Sequence, residues 1–405
     1  MRQLLYEYKE MAVYSVIALV SGIVIGAVDA LFGRVLLWIT EVRELHPLWF
    51  LPFLPLAGLL IMFLYRTFSK ESLKGMTLVF ETGHGEAPVI PKRMLPLVVV
   101  STWLTHLFGG SAGREGVAVQ IGAVVSHTIA KQIKLLKNPR MLLVIGMAAG
   151  FAGLFQTPLA ATFFAMEVLT AGILIHEIIL PALIASYAAS MTSHWLGLEK
   201  FSVDLTVAIV PSTDFLVRII LLGIIFGVTG GIFAKSLKVL KVKCMDWLLN
   251  PFFRIFCMGA ILSVFLMLLH LGRYAGLGTN LIEESFGGGQ IYGYDWILKF
   301  IFTILTLAAG YQGGEVTPLF AIGAALGISL GGIFGIPLVL AAALGYAAVF
   351  GSATNTLLAP IFIGVEVFGT PFVPWFVLVC VVAFVCNGNQ SIYSAQKKYS
   401  FFGKK

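Results

Sequence analysis

Residues 146–168, GMAAGFAGLFQTPLAATFFAMEV, align without a gap on residues 345–367, GYAAVFGSATNTLLAPIFIGVEV, and ten of the roughly two dozen positions are identical. The identities pair Thr157 with Thr356 and Glu167 with Glu366, a register that chance similarity between apolar stretches does not keep. A second match lies upstream, where GREGVAVQIGAVV (113–125) meets GGEVTPLFAIGAAL (313–326) with a slip of one or two residues. The fold must therefore accommodate one unit twice. Each unit runs through a Gly-rich turn carrying a glutamate, a short helix, and a helix pair interrupted near 156–158 or 355–358. The more polar stretch from about Glu199 to Asp214 separates them, giving a first repeat over 11–205 and a second over 206–395. Identity alone does not fix how the two are oriented.

The repeated unit is too apolar for water. Hydrophobic residues make up 59% of the chain and charged residues 12%, with a mean hydropathy of +0.94. Soluble domains are about half apolar and a quarter charged. Apolar stretches of about 17–25 residues cross a hydrocarbon core, and the chain offers many, among them 11–31, 49–65, 141–172, 214–234, 253–271, 296–311 and 372–386. These leave no room for a separate soluble domain. An all-α membrane protein follows, with membrane lipid as its surroundings.

Charge sets the expected topology. The polar segment 1–10 precedes an apolar run without a small-residue cleavage site, so it reads as retained. Lys131, Lys134, Lys137 and Arg140 form one basic cluster, Lys235, Lys238, Lys241 and Lys243 another, within a net charge of +7. The tail 396–405 adds Lys397, Lys398, Lys404 and Lys405. The positive-inside tendency places both termini and both clusters in the cytoplasm of a multi-pass cell-membrane protein. The charge reports topology, not nucleic-acid binding. Cys244, Cys257, Cys380 and Cys386 lack the spacing of a metal site, and His176-Glu177 lacks the second histidine of a zinc-protease motif, so no metal or cofactor is expected.

Ionisable groups inside apolar sequence are costly and point to function. The foremost is Glu115, in GGSAGREG (109–116). A glycine-rich turn opening a helix presents unsatisfied N–H groups at the positive end of the helix dipole, which is an anion site. A carboxylate there fills the site itself. Displaced by an external anion, it can take a proton and release it elsewhere, linking anion to proton movement. An ion pair with Arg114 is the structural alternative. In the second half, GGEVTPLF (313–320) offers the Thr317 hydroxyl as donor, Pro318 for a helix start and Phe320 as a wall. Glu315 is either a helix-start carboxylate or a second proton-handling group. Tight packing accounts for most of the 43 glycines, but not for glycines clustered beside charges. Repeated halves with broken apolar segments place a binding site between them.

GSAGREGV and GGEVTPLF resemble the two long signature motifs of the CLC family of anion channels and proton-coupled anion exchangers. The resemblance spans nearly the whole chain, including the helix pair after each motif and a terminal NQSIYS. It implies a homodimer with one pore per subunit and a CLC-type fold of two inverted-topology repeats built from tilted, partly broken helices. It implies an anion site around Gly113, Arg114, Gly116, Val117, Met76, Thr317, Phe320 and Tyr393, with Glu115 as the gating glutamate. The cytoplasmic regulatory domain of many relatives has no counterpart after Tyr393. Two departures refine the picture. Val117 replaces the proline of chloride-type members, and Lys74-Gly75-Met76-Thr77 places Met76 where their serine donates to chloride. Both resemble the fluoride/proton antiporter branch. A methionine offers no O–H donor, although it also serves as an ordinary core filler; Tyr393 likewise has an interfacial-anchor reading. Val168 stands where chloride/proton exchangers can carry an internal proton-transfer glutamate, which leaves Glu115 alone or Glu315 with it to handle protons. Glu167 is expected to pack or pair in the dimer region. The expected function is fluoride export in exchange for protons, with a chloride or nitrate exchanger or channel of the same family as the alternative, and no enzymatic chemistry.

Overall fold

The computed structural model describes residues 2–87, 89–133, 138–207 and 209–398. Lys134, Lys137, Lys404, Lys405 and the tail beyond 398 lie outside the described residues. The first half comprises α1 (Arg2–Leu45), α2 (Pro47–Phe50), α3 (Leu54–Phe68), α4 (Met76–His84), α5 (Met94–Leu107), α6 (Glu115–Gln132), α7 (Pro139–Phe155), α8 (Pro158–Val168) and α9 (Ile179–Trp195). The second comprises α10 (Thr213–Trp247), α11 (Pro251–Leu268), α12 (Thr279–Gly287), α13 (Asp295–Ala309), α14 (Val316–Phe334), α15 (Leu338–Thr354), α16 (Leu358–Phe368) and α17 (Val373–Cys386). Among the described residues one parallel pair of two-residue strands, β1 (Thr170–Ala171) and β2 (Lys397–Lys398), ties the last of them to the exit of α8.

Local chemistry sets many of the helix starts. Asn138, Ser212 and Asn250 each accept a backbone N–H of the turn that follows, and Pro139 and Pro251 occupy the first helical position. Five described segments are long and apolar enough to cross a membrane, and several others are not. At 11 residues each, α8 and α16 rise only about 16 Å, half of a hydrocarbon core. The apolar run 141–172 is accordingly two helices, α7 and α8. They are parted by Gln156 in the left-handed conformation (φ 57°), and Asn355 (φ 56°) parts α15 from α16 at the repeat-related place.

The halves are inverted, and the contact between α8 and α16 makes the geometry explicit. Glu167, at the end of α8, accepts the N–H groups of Leu357, Leu358 and Ala359 at the start of α16 (3.0, 3.1 and 2.8 Å). Glu366, at the end of α16, accepts those of Leu159 and Ala160 at the start of α8 (3.1 and 2.8 Å). Only an antiparallel pair can cap itself reciprocally. At its midpoint Phe163 stacks on Phe362, 4.3 Å between centroids and 5° from parallel. Glu167 thus caps the other repeat within its own chain, meeting amides that a helix start leaves without intrahelical partners. The local axis is marked again where Gly113 and Gly314 exchange backbone bonds in an antiparallel bridge (2.5 and 2.7 Å). This fixes the upstream register left with a slip of one or two residues: Gly113 answers Gly314, and Gly122 answers Gly323.

Each half closes through bare backbone. A Cβ on Gly122 would strike the Gly146 carbonyl oxygen, and one on Gly323 would strike that of Gly345, so α6 meets α7 as α14 meets α15. Between such helices lipid supplies no hydrophobic driving force, and close packing has to hold them. Gly122→Ala is expected to destabilise the fold by about 1–3 kcal/mol, and Glu167→Ala by a similar amount through orphaned amides. A lowered unfolding temperature of the purified protein in detergent checks both.

Candidate anion site

Two helix starts meet head to head across the local axis. The Gly-rich turn 109–113 delivers the chain to Glu115, the first residue of α6, and the turn at 313–314 delivers it to Val316, the first residue of α14. Both turns need glycine. In the first, Gly109 (φ 88°) is left-handed; in the second, a Cβ on Gly313 would come within 2.5 Å of the Ala112 Cβ.

Glu115 is fully buried and lies across the gap. Its Oε2 accepts the Thr317 N–H (3.0 Å), and the Thr317 hydroxyl donates to both carboxylate oxygens (2.7 and 2.6 Å). The Arg114 N–H lies 3.3 Å from the same Oε2. The carboxylate of one half therefore sits on the exposed amides of the other half's helix. The pairing with Arg114 is loose, 3.7 Å from Nε to Oε1, and the guanidinium Nε and Nη1 have no hydrogen-bond partner among the described residues. Arg114 thus adds positive potential more than it adds a directed bond. Tyr346, one layer behind, lies within electrostatic reach of both Glu115 and Arg114.

On one side of this contact opens a cavity of about 660 Å³. Met76, the first residue of α4, lines it together with Gly116, Gln120, Glu315 and Tyr393. Gly75 turns the chain into α4 with φ 53° and leaves the first amides of that helix without intrahelical partners. The Tyr393 ring stacks on Phe80 at 5.1 Å, and its buried hydroxyl has no hydrogen-bond partner among the described residues. Glu315 lies at the border between contact and cavity, since a Cβ on Gly116 would stand 3.8 Å from its Oε2. Lys238 and Lys241 of α10 also face the cavity. The cluster read as topology in the sequence therefore contributes potential that concentrates anions.

Two of the expected site residues stand back from the cavity. Val117 packs in a separate apolar cluster with Phe32, Leu36 and Val98, and its N–H donates to the Arg114 carbonyl oxygen (3.1 Å). Phe320 is enclosed in an aromatic stack, 4.1 Å from Tyr346 and 5.1 Å from Phe155, and so supports the wall without forming its surface. The amide of Gly113 is taken up by Gly314. Sequence reasoning passed over Gln120 and Tyr346. A glutamine in the apolar run after GREG was the available signal for the first; Tyr346, distant along the chain and surrounded by apolar residues, gave none.

The arrangement holds a carboxylate on the donors at a helix start, with a largely apolar cavity that carries a few charged and polar side chains beside it. The sequence profile described as "Voltage gated chloride channel" matches residues 57–388. A "Chloride/fluoride channel protein" of Pseudomonas syringae pv. tomato is 33% identical over 399 residues, 97% of this chain and 87% of the relative. The "H(+)/Cl(-) exchange transporter ClcA" of Vibrio cholerae is 27% identical over 335 residues, 78% of this chain and 72% of the relative. Among solved structures, a CLC-type fluoride/proton antiporter superposes with a TM-score of 0.95 at 50% identity, covering 97% of this chain and 99% of its own. A slow cyanobacterial Cl-/H+ antiporter shares the fold at a TM-score of 0.81 and 23% identity, covering 94% and 96%. Inverted halves, a matching profile over most of the length and relatives that cover nearly all of it lead to one assignment: the chain belongs to the voltage-gated chloride channel family, the CLC anion channels and transporters.

Proposed function

We propose that this protein is a proton-coupled antiporter that exports fluoride in exchange for protons. The observation that carries the reading is the Glu115 carboxylate lying on the Thr317 amide and hydroxyl. An ionised carboxylate and a halide compete for those donors, because both are anions that need the same unsatisfied hydrogens. Protonation removes the carboxylate's charge and its claim on the site. Fluoride then takes the amide hydrogens, and the neutral carboxyl group swings away with its proton. Glu315, at the border of the cavity, is the second proton-handling group that passes the proton inward.

Anion choice rests on what replaces water around the ion. Fluoride is small, strongly hydrated and a strong acceptor, so it gains most from N–H and O–H donors. Thr317 supplies one set, and the amides at the start of α4 with the Tyr393 hydroxyl supply another. Met76 contributes no O–H there, and this removes a donor that favours larger halides. The 50% identity with a fluoride/proton antiporter over 97% of the chain supports fluoride over chloride as the transported ion. The family resemblance further supports a homodimer with one pore per subunit in the plasma membrane, and the positive-inside tendency supports cytoplasmic termini.

In proteoliposomes with a pH gradient, the parent protein is expected to move fluoride against a proton flux, read with a fluoride electrode. Glu115→Gln, which keeps the shape but carries no proton, abolishes proton coupling; equal coupled fluxes in variant and parent would defeat the proposal. Thr317→Val removes the hydroxyl donor and weakens fluoride binding by about tenfold, read as a raised half-saturation concentration. Met76→Ser raises chloride permeation relative to fluoride in an anion-competition assay, whereas unchanged selectivity returns Met76 to a packing role.

A further inference from the structure

Gln120 has no structural duty that the repeat explains. With Gly113 answering Gly314 and Gly122 answering Gly323, its counterpart in the second half is Ala321, which packs in the same frame without an amide. The side chain is 5% exposed. Its Nε2 donates to the Gly116 carbonyl oxygen one turn back (3.2 Å), and this bond fixes which end of the amide is which. The other end, Oε1, is buried and has no hydrogen-bond partner among the described residues. It looks toward Gly75, where a Cβ would lie 3.5 Å away, and both residues line the 660 Å³ cavity.

A buried amide oxygen left unpaired is costly, and the group that satisfies it must be a donor. A halide or a carboxylate cannot serve, since each is an acceptor and is repelled. A protonated carboxyl group can. Glu315 opens on the same cavity, and its Oε2 lies 3.8 Å from where a Cβ on Gly116 would stand, so both polar side chains border that glycine. Lys241 of α10 and Tyr393 face the cavity as well, but neither is placed in a hydrogen bond to Oε1.

We infer that Gln120 is a positioning residue of the inner proton route, its carbonyl oxygen accepting the O–H of the Glu315 carboxyl group when that group is protonated and turned to the cavity. The amide takes no proton. It holds the neutral acid and repels the carboxylate, so Glu315 stays at the cavity while protonated and withdraws once the proton has left for water. The inference rests on the antiport reading and names the group that orients its inner carboxyl. Because the counterpart is alanine, the device belongs to one half only, which gives the inner side of the route a feature that the outer side lacks.

The test uses the full chain in liposomes of phosphatidylethanolamine and phosphatidylglycerol, with fluoride efflux and proton uptake recorded together. Gln120→Met keeps the volume and deletes the acceptor. It is expected to lower protons moved per fluoride by about tenfold while fluoride efflux itself changes by less than about threefold. Gln120→Asn, which keeps a carbonyl acceptor and an amide donor on a shorter arm and carries no proton, retains more of the ratio than Gln120→Met does. In a Glu315→Gln background, Gln120→Met has no further effect on the ratio, the non-additivity of two groups acting as one. Gln120→Leu serves in its place if the methionine variant does not elute as a single species. A parental ratio in the acceptor-less variant overturns the inference, as does a parallel loss of both fluxes or an additive effect with Glu315→Gln. A parent that moves fluoride without protons removes the antiport reading itself, a distinct result.

Discussion

The hydrogen bond from the Thr317 amide to the Glu115 carboxylate depends on a helix that starts buried inside the protein with nothing of its own to satisfy its first N–H groups. In water those groups would be solvated and the site would be weak. Within the protein interior they must be met by something, and the dipole of an 18-residue helix on one side and a 19-residue helix on the other makes that something an anion. Two helix starts facing each other favour negative charge before any side chain is added. Side chains then decide which anion fills it and when.

Building such a contact requires helices that end part-way across the bilayer, and the inverted repeat supplies them. Two copies of one unit, related by an axis through the Gly113–Gly314 bridge and the Phe163–Phe362 stack, bring the starts of α6 and α14 together without a loop exposed to lipid. The same symmetry resolves the ends of α8 and α16, each closed by the other repeat's glutamate. Pairs that build the frame remain alike across the halves: Gly113 and Gly314, Gly122 and Gly323, Gly146 and Gly345, Gln156 and Asn355. Pairs that the proposed mechanism uses differ. Glu115 answers Val316, Arg114 answers Glu315, Gly116 answers Thr317 and Gln120 answers Ala321. A transporter needs that division, because a symmetric site would have no inner and outer side.

Much of this was legible in the chain. The apolar composition and the repeat gave the membrane class and the two halves, since burial and duplication are recorded residue by residue. The helix breaks near Gln156 and Asn355 were visible because a polar residue followed by Thr-Pro or Thr-Leu interrupts an apolar run. The motif GSAGREGV marked Glu115, since glycines beside a charge have no packing explanation. Less was visible wherever the partner is remote. Val117 was expected at the anion site because it stands where chloride-type relatives carry proline; two residues along the helix from Glu115, its side chain packs toward α1 and α5. Lys238 and Lys241 read as topology because their distance from Met76 along the chain hides the cavity they share.

The sequence by itself determined that the chain is a helical membrane protein of two related halves, that each half breaks mid-span at a polar residue, and that a glutamate among glycines opens a helix. Those properties follow from composition, period and local conformational preference, which are fixed over a few residues at a time. Only the tertiary structure decided that the halves run in opposite senses, that Glu115 reaches across to Thr317 as well as lying beside Arg114, and that Glu167 caps α16. Each of these joins residues about 190 to 200 positions apart, and hydrogen-bond geometry over that separation is set by packing, which no local pattern encodes.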